Sequence, residues 1–272
     1  MERLKKYNFS KHLTNRDINI LFHLASNGFA TRKQLFSLFW SGSPRSCAHH
    51  RRIRTLCKLG LIKKIVGDSG ELGVRISKLG LKVLKIYHPE AGNLSLFNRA
   101  YKSQFEHDTI LQQVTQVFEQ SPAVIQIETE KQLLSKLYRQ SIFKKNSNER
   151  LKVPDALLLI ETPSGFKWAA IELELTRKST NRYYNIIQDH LISDKWDLIF
   201  YIVKDQSLRD LISKNHQYCK QNNPRVRLKD KVNGLYFVDL KDLQLNKEKA
   251  TFESDEDSFT LESLLKEHMK IS

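Results

Sequence analysis

The first ninety residues alternate short amphipathic segments with polar, glycine-containing breaks. Apolar residues recur at helical spacing at about residues 14–28, 31–39 and 44–59, which predicts three short helices. Two β-branched runs separated by a glycine-rich turn then predict a two-stranded hairpin over residues 61–76. A fourth helix is predicted over residues 78–86.

From residue 98 onward the elements become longer and of mixed type. The patterns predict, in chain order, a helix, three strands, a helix, a strand, a helix and a strand, at about residues 105–118, 124–127, 156–160, 169–175, 182–191, 197–203, 207–222 and 234–238. The basic, polar residues 144–152 predict a loop. This order predicts an α/β (α+β) fold class, with a mixed sheet flanked by helices after the N-terminal helical part.

We predict two domains and a C-terminal segment. Turn-forming residues at 89–93 mark the boundary between a domain at residues 1–92 and a domain at residues 98–245. The segment at residues 246–272 has an acidic run, residues 253–257, ahead of an amphipathic helix, and the run is expected to cap that helix. The helix is expected to pack on its own domain, although docking of a partner stays open.

Composition restricts the function classes. The chain has 272 residues, 40% of them hydrophobic, and a net charge of +15, and residues 1–90 hold 18 Lys and Arg against 5 Asp and Glu. One segment therefore carries the charge expected of a polyanion-binding surface. Cys47, Cys57 and Cys219 form no disulfide framework or zinc motif. Since no apolar run approaches a membrane span or a signal peptide, we expect no membrane association and a cytoplasmic location.

Basic residues concentrate on the third predicted helix and on the hairpin after it. They are His49, His50, Arg51, Arg52, Arg54, Lys63, Lys64 and Arg75. Helix, helix, basic helix and hairpin is the order of a winged helix-turn-helix domain, and residues 1–92 resemble that superfamily, with a typical Leu59-Gly60-Leu61-Ile62 phrase after the basic helix. The resemblance implies double-stranded DNA as partner, read in the major groove by these residues. Winged helices also bind proteins, but the charge favours DNA.

Three carboxylates stand out in the second domain. Asp155 follows Pro154, and Glu172 and Glu174 alternate with Ile171 and its neighbours on an apolar strand, so both glutamates should share one face of the sheet. Taken singly, Pro-Asp marks a turn and Glu-x-Glu an exposed edge strand. Together, carboxylates in so apolar a setting are costly without a cation, and Mg²⁺ accepts one or two carboxylates as ligands.

This arrangement of Pro-Asp, hairpin, acidic strand and following helix resembles the PD-(D/E)XK restriction-endonuclease-like superfamily over about residues 100–240. The resemblance implies that Asp155 and Glu172 hold Mg²⁺ or Mn²⁺ for phosphodiester hydrolysis. Glu174 stands where the family usually has lysine, and is expected to serve as a ligand or general base. Lys178 supplies the missing charge if the strand continues through Thr176.

Supporting residues are implied outside the hairpin. The helix acid of the family corresponds to Glu106 or to Asp108, which is a further candidate metal ligand. His107 between them is a catalytic candidate, with an ordinary surface histidine as the alternative. On the helix after the motif, Tyr184 and Gln188 are candidates for contacts with the DNA phosphates.

A winged helix ahead of such a nuclease domain is similar to the MobC-type plasmid relaxases and the related replication-relaxation family, with Phe105-Glu106-His107-Asp108 ahead of the carboxylate motifs. The resemblance implies nicking of one strand at a plasmid transfer origin during mobilisation. Partners would be a coupling or accessory mobilisation protein, and a homodimer stays open. Two alternatives remain, a transposon-type or restriction-type endonuclease and a DNA-binding transcription or replication regulator with an inactive nuclease fold.

Overall fold

The computed structural model describes residues 13–41, 47–67, 70–94, 105–143, 153–162, 164–227 and 234–268, and the predicted loop at residues 144–152 lies outside them. The chain divides into two units. The first comprises residues 1–109 and 134–139, and the second comprises residues 110–133 and 140–272. The first unit therefore reaches past the boundary that the sequence predicts near residue 92.

The first two helices of the first unit begin at threonine caps. Thr14 accepts a hydrogen bond from the backbone N–H of Asp17, whose carboxylate accepts one from the N–H of Thr14 (2.7 Å). Thr31 and Gln34 form the same reciprocal pair, and Gly28 ends the first helix at φ 84°. The elements of this unit are α1 (Asn15–Asn27), β1 (Ala30–Thr31), α2 (Arg32–Trp40), α3 (Cys47–Lys58), β2 (Ile62–Val66), β3 (Leu72–Ile76), α4 (Lys78–Tyr87) and a 3-10 turn (Pro89–Asn93).

The strands of this unit form an antiparallel sheet in the order β1-β3-β2. Ile62 pairs with Ile76 at one end of the hairpin and Ala30 pairs with Val74 on the other side of β3. The core draws on all four helices and on the sheet, with Ile20, Leu21, Leu24, Leu35, Ile53, Leu56, Leu61, Val74 and Leu84 buried in it. The helices and the hairpin predicted from the sequence are all present.

The second unit contains a seven-stranded sheet in the order β10-β9-β8-β7-β6-β5-β4. Strands β6, β7 and β8 run parallel, and the other neighbouring pairs are antiparallel. Helices flank this sheet, so the predicted mixed α and β architecture is confirmed. Its elements, of which α5 and α6 each have part of their residues in the first unit, are α5 (Phe105–Gln120), β4 (Val124–Thr129), α6 (Glu130–Phe143), β5 (Ala156–Thr162), β6 (Gly165–Glu174), α7 (Thr180–Ile192), β7 (Leu198–Val203), α8 (Gln206–Asn222), α9 (Pro224–Arg227), β8 (Gly234–Asp239), α10 (Leu240–Asn246), a 3-10 turn (Lys247–Lys249), β9 (Thr251–Glu253), β10 (Ser258–Thr260) and α11 (Leu261–His268).

Separate helices cover the two faces of the central strands. The face that includes Ile171 and Leu173 packs against α5, α10 and α11. The face that includes Ala170 packs against α7 and α8. Because side chains alternate along a strand, Glu172 and Glu174 share one face, as predicted, and this is the face that α7 and α8 cover.

The sequence prediction misses several elements of this unit, among them the short helices α9 and α10. Helix α6 occupies residues where no element is predicted, and β8 is followed by two further short strands. No glycine or proline stands between the apolar strand β4 and Leu133 and Leu134 of α6. The sequence therefore has no turn residue to show where the strand ends and the helix begins.

The acidic run does not cap the last helix. It forms the end of β9 and the turn into β10, where the N–H of Ser254 donates to the carbonyl oxygen of Asp257 (2.8 Å). Helix α11 is capped instead by Thr260, whose hydroxyl accepts from the N–H of Ser263 (3.0 Å). Leu261 of this helix is fully buried in its own unit, as expected.

Candidate functional site

Asp155 is attached to strand β6 through both its backbone and its side chain. Its N–H donates to the carbonyl oxygen of Ile171 (3.0 Å), and its Oδ2 accepts from the N–H of Leu173 (2.8 Å). The carboxylate therefore lies level with Glu172, the residue between these two partners. The hairpin brings together the two carboxylates that the sequence selects.

Glu172 is paired with a histidine from helix α7. Its side chain is buried, and Oε1 lies 2.8 Å from Nε2 of His190, which is itself fully buried. No motif in the sequence selects His190. The helical spacing of Tyr183, Ile187, His190 and Leu191 does place this histidine on the buried stripe of α7, and that signal could have shown that it faces the sheet.

Glu174 is also buried, and its carboxylate forms an ion pair with Lys178. Tyr183 donates a hydrogen bond from Oη to its other oxygen (3.4 Å). Burial raises the pKa of Glu174, Lys178 lowers it in part, and the negative charges of Glu172 and Asp155 raise it further, so that the pKa stays above its usual value.

Lys178 reaches the site by a different route from the one the sequence suggests. Strand β6 ends at Glu174, so it does not continue through Thr176. Lys178 instead lies directly before Ser179, the N-cap of α7, and its side chain folds back to the carboxylate of Glu174. The turn after the strand thus supplies the cation beside Glu174.

Tyr201 is a further buried side chain next to these carboxylates. It pairs with Glu172 in the parallel register of β6 and β7, so the two side chains lie next to each other on the same face. Tyr201 is fully buried, and within the described part of the chain its hydroxyl has no hydrogen-bond partner. Burial, followed by the charges of Glu172 and Glu174, raises the pKa of Tyr201 well above its usual value, so it remains a protonated donor.

The chemistry of these side chains suits a hard divalent cation, whereas their number limits how many ligands the protein would supply. Carboxylate oxygens are the ligands that Mg²⁺ and Mn²⁺ prefer. Across the described residues, no group of three or more His, Cys, Asp or Glu side chains is arranged to hold a metal ion. A cation here would therefore take two protein carboxylates at most, Asp155 and Glu172 being the pair joined by the hairpin, and complete its shell with water. Such partial coordination is normal for Mg²⁺.

The two candidate phosphate contacts on α7 differ in their surroundings. Tyr184 is half-buried, its Oη accepts a hydrogen bond from Nδ2 of Asn223 (2.9 Å), and its ring meets that of Tyr218 at 6.0 Å. These contacts place it in the packing between α7 and α8. Gln188 is also half-buried.

Glu106, His107 and Asp108 all lie in the first turn of α5. Nδ1 of His107 lies 3.5 Å from Oδ1 of Asp108, which makes these two side chains a local pair. They belong to the first unit, whereas the carboxylate hairpin belongs to the second. Their catalytic and metal-binding roles stay predictions.

The basic residues of α3 fall into two groups. His50, Arg51 and Arg54 are exposed. His49 is not on the surface as expected, because it is buried with its ring 4.7 Å from that of Phe36. It lies on the same helical stripe as the core residues Ile53 and Leu56.

Arg52 is committed to a contact inside the first unit. Its guanidinium donates to both carboxylate oxygens of Asp17, with Nε 2.7 Å from Oδ1. Burial raises the pKa of Asp17. The hydrogen bonds and positive charge of Arg52, together with the hydrogen bonds from Thr14, outweigh burial and hold this pKa below its usual value. Arg52 therefore joins α3 to α1.

On the hairpin, Lys63 and Lys64 are exposed and Arg75 is half-buried. Lys63 lies directly opposite Arg75 in the antiparallel register, so their side chains share one face of the hairpin. This hairpin continues the positive charge presented by the exposed residues of α3.

No family model, no curated protein and no solved structure matches the chain. In the part of the chain that the structure describes, none of the helices is both long and apolar enough to cross a bilayer.

Proposed function

We propose that the chain is a metal-dependent DNA endonuclease in which a winged helix-turn-helix unit binds DNA and a restriction-endonuclease-like unit cuts it. The observation that carries the proposal is the convergence of Asp155, Glu172, Glu174 and Lys178 at one end of the β5–β6 hairpin. These are the residue types of the nuclease motif, with the lysine displaced from the strand to the turn after it.

The surface of the first unit supports the DNA-binding part of the proposal. Exposed His50, Arg51 and Arg54 lie on one helix, and exposed Lys63 and Lys64 lie on the hairpin that follows it. A recognition helix and a basic hairpin would contact base edges and phosphates respectively. His49 and Arg52 are omitted from this surface because internal contacts hold them.

Each residue of the carboxylate cluster has a chemical task in the proposed reaction. A divalent cation held by Asp155 and Glu172 would lower the pKa of a bound water and neutralise charge on the scissile phosphate. Glu174 would accept the proton of the attacking water, for which a pKa raised above the usual value of a carboxyl group is suited. Lys178 would keep its ammonium group beside that carboxylate and the substrate phosphate.

The specific function we propose is that of a relaxase, which recognises a plasmid transfer origin and nicks one strand for conjugative mobilisation. The support for this choice is the order of the two units along the chain. A transposon-type or restriction-type endonuclease would use the same cluster and differs in the product, a double-strand break instead of a nick.

A second candidate is a DNA-binding regulator of transcription or replication whose nuclease fold is inactive. One observation favours it, because Glu172 is already hydrogen-bonded to His190 and Glu174 is already paired with Lys178. Carboxylates held in this way can stabilise the fold without binding a metal ion.

Supercoiled plasmid that carries the cognate origin, incubated with the full chain and Mn²⁺, tests the proposal. We expect open circles from the wild type and none from the double variant Asp155→Ala, Glu172→Ala, with DNA binding retained in both. Asp210→Ala is a matched control, since Asp210 is an exposed carboxylate on α8. Linear product would indicate a double-strand endonuclease. Biological activity that survives in the double variant would instead support the regulator.

A further inference from the structure

Helix α7 and strand β7 each bring one polar side chain to the buried side of Glu172. His190 comes from the last turns of α7 and Tyr201 from the middle of β7. Both are fully buried, and neither belongs to the motif that the sequence resembles. Both side chains therefore lie beside the carboxylate of Glu172.

The contact with His190 restrains one oxygen of the Glu172 carboxylate. Nε2 of His190 lies 2.8 Å from Oε1, within the ordinary range of a hydrogen bond. The imidazole is held in turn by the ring of Trp196, whose centroid lies 5.2 Å away at 58° to it. Because the packing against Trp196 restrains the histidine, the histidine in turn restrains the Glu172 carboxylate at Oε1.

Tyr201 contributes a hydroxyl donor for which the described part of the chain supplies no acceptor. A buried hydroxyl without a partner costs about 1–3 kcal/mol, and native proteins keep few such groups. The position of this hydroxyl on the carboxylate face explains its retention, because water or another oxygen ligand bound among the carboxylates would accept its hydrogen bond. Tyr201 pairs with Glu172 in the register of β6 and β7, which places it beside that cluster.

We propose that His190 and Tyr201 are positioning residues for the candidate metal site, His190 by orienting the carboxylate of Glu172 and Tyr201 by donating a hydrogen bond to a water of the cation. The proposal rests on the proposed function insofar as it requires a divalent cation at Asp155 and Glu172. Outer partners of this kind are worth about 10–100-fold in metal affinity.

Calorimetric titration of the full chain with Mn²⁺, without DNA, tests the proposal directly. We expect His190→Leu to weaken Mn²⁺ binding about 10–100-fold, and His190→Gln to recover most of the affinity because its amide can donate from a similar position. Tyr201→Phe should weaken binding about 10-fold, and should raise the melting temperature of the metal-free protein because it removes an unsatisfied hydroxyl.

Two matched controls separate positioning from general loss of structure. His216 is a buried histidine of α8, and Tyr236 is a tyrosine of β8 that donates to Asp257 (3.2 Å). His216→Leu and Tyr236→Phe should leave Mn²⁺ affinity unchanged. If His190→Leu does not fold, Tyr201→Phe still decides, since it removes one oxygen atom.

The possible failures are distinguishable. Wild-type protein that binds Mn²⁺ while His190→Leu and Tyr201→Phe bind it equally well would overturn the positioning roles and leave the proposed function standing. Wild-type protein that binds no Mn²⁺ would overturn both.

Discussion

The pairing of Arg52 with Asp17 makes a prediction that separates structural from DNA-binding residues on α3. Asp17 is fully buried, and it accepts hydrogen bonds from the N–H and the hydroxyl of Thr14 (both 2.7 Å) as well as from Arg52. Arg52→Met keeps the aliphatic part of the side chain but removes the guanidinium. The buried carboxylate of Asp17 then keeps only its hydrogen bonds from Thr14. Breaking a buried pair costs about 3–5 kcal/mol, and because the Arg52 side chain is partly exposed we expect a loss of about 3 kcal/mol in the free energy of unfolding.

Urea denaturation and DNA titration on the same proteins measure the two effects. Arg54→Met is the matched control, because Arg54 is exposed on the same helix. We expect Arg52→Met to unfold at lower urea with DNA affinity retained under folding conditions. Arg54→Met should unfold like the wild type, bind DNA more weakly, and show a salt dependence of binding that is lower by about one released counterion.

The pH dependence gives an independent check of the same pair. The pKa of Asp17 in the folded protein lies below its usual 3.8, so the unfolded chain binds more protons in the interval between these values. The stabilisation is therefore complete above about pH 4 and is lost as the pH falls through the folded pKa. Wild type and Arg52→Met should converge in stability under acid conditions.

The reasoning would be refuted by an Arg52→Met variant as stable as the wild type that loses as much DNA affinity as Arg54→Met. That result would mean that Arg52 leaves Asp17 in solution and works at the DNA surface.

Two further substitutions test the close packing of the first unit and the cation of the second. Gly80→Ala should lower the free energy of unfolding by about 1–3 kcal/mol in urea, because the added Cβ would collide with the carbonyl oxygen of Leu61. Gly92→Ala, whose Cβ meets no atom of the described residues within 4 Å, should be near neutral. Lys178→Met removes the cation that lowers the pKa of Glu174, so this raised pKa should rise further and the loss of stability should grow as the pH rises through it. Equal losses at pH 4 and pH 8 would contradict this account.

The alternation along β6 is the part of the site that the sequence predicts best. A strand has a period of two, and the apolar residues around Glu172 and Glu174 leave a single orientation that buries them. The pairing of Asp155 with the same strand follows from the hairpin, because a short turn fixes the register. Local pattern therefore decides which carboxylates meet.

Contacts between elements distant in the sequence could not be predicted in the same way. Whether His190 reaches Glu172 depends on how α7 rotates over the sheet, which its own pattern restricts only to a broad stripe. The internal contacts of His49 and Arg52 were missed for a different reason. Charge alone selected them, although a rotation of about 100° per residue places both near Ile53 on the buried side of α3.

The order of strands in the seven-stranded sheet has a consequence for how the site is assembled during synthesis. Every strand pairs with its immediate predecessor or successor in the chain, and chains emerge from the ribosome N-terminus first. The β5–β6 hairpin, with Asp155 and Glu172 already joined, can form before the residues of α7 and β7 have been made. We expect pulse-labelled exchange to protect the hairpin amides before those of β7, and simultaneous protection would argue against this order. Asp155 and Glu172 would then meet in a hairpin of the growing chain. His190 and Tyr201 would pack against this hairpin only after α7 and β7 have been synthesised.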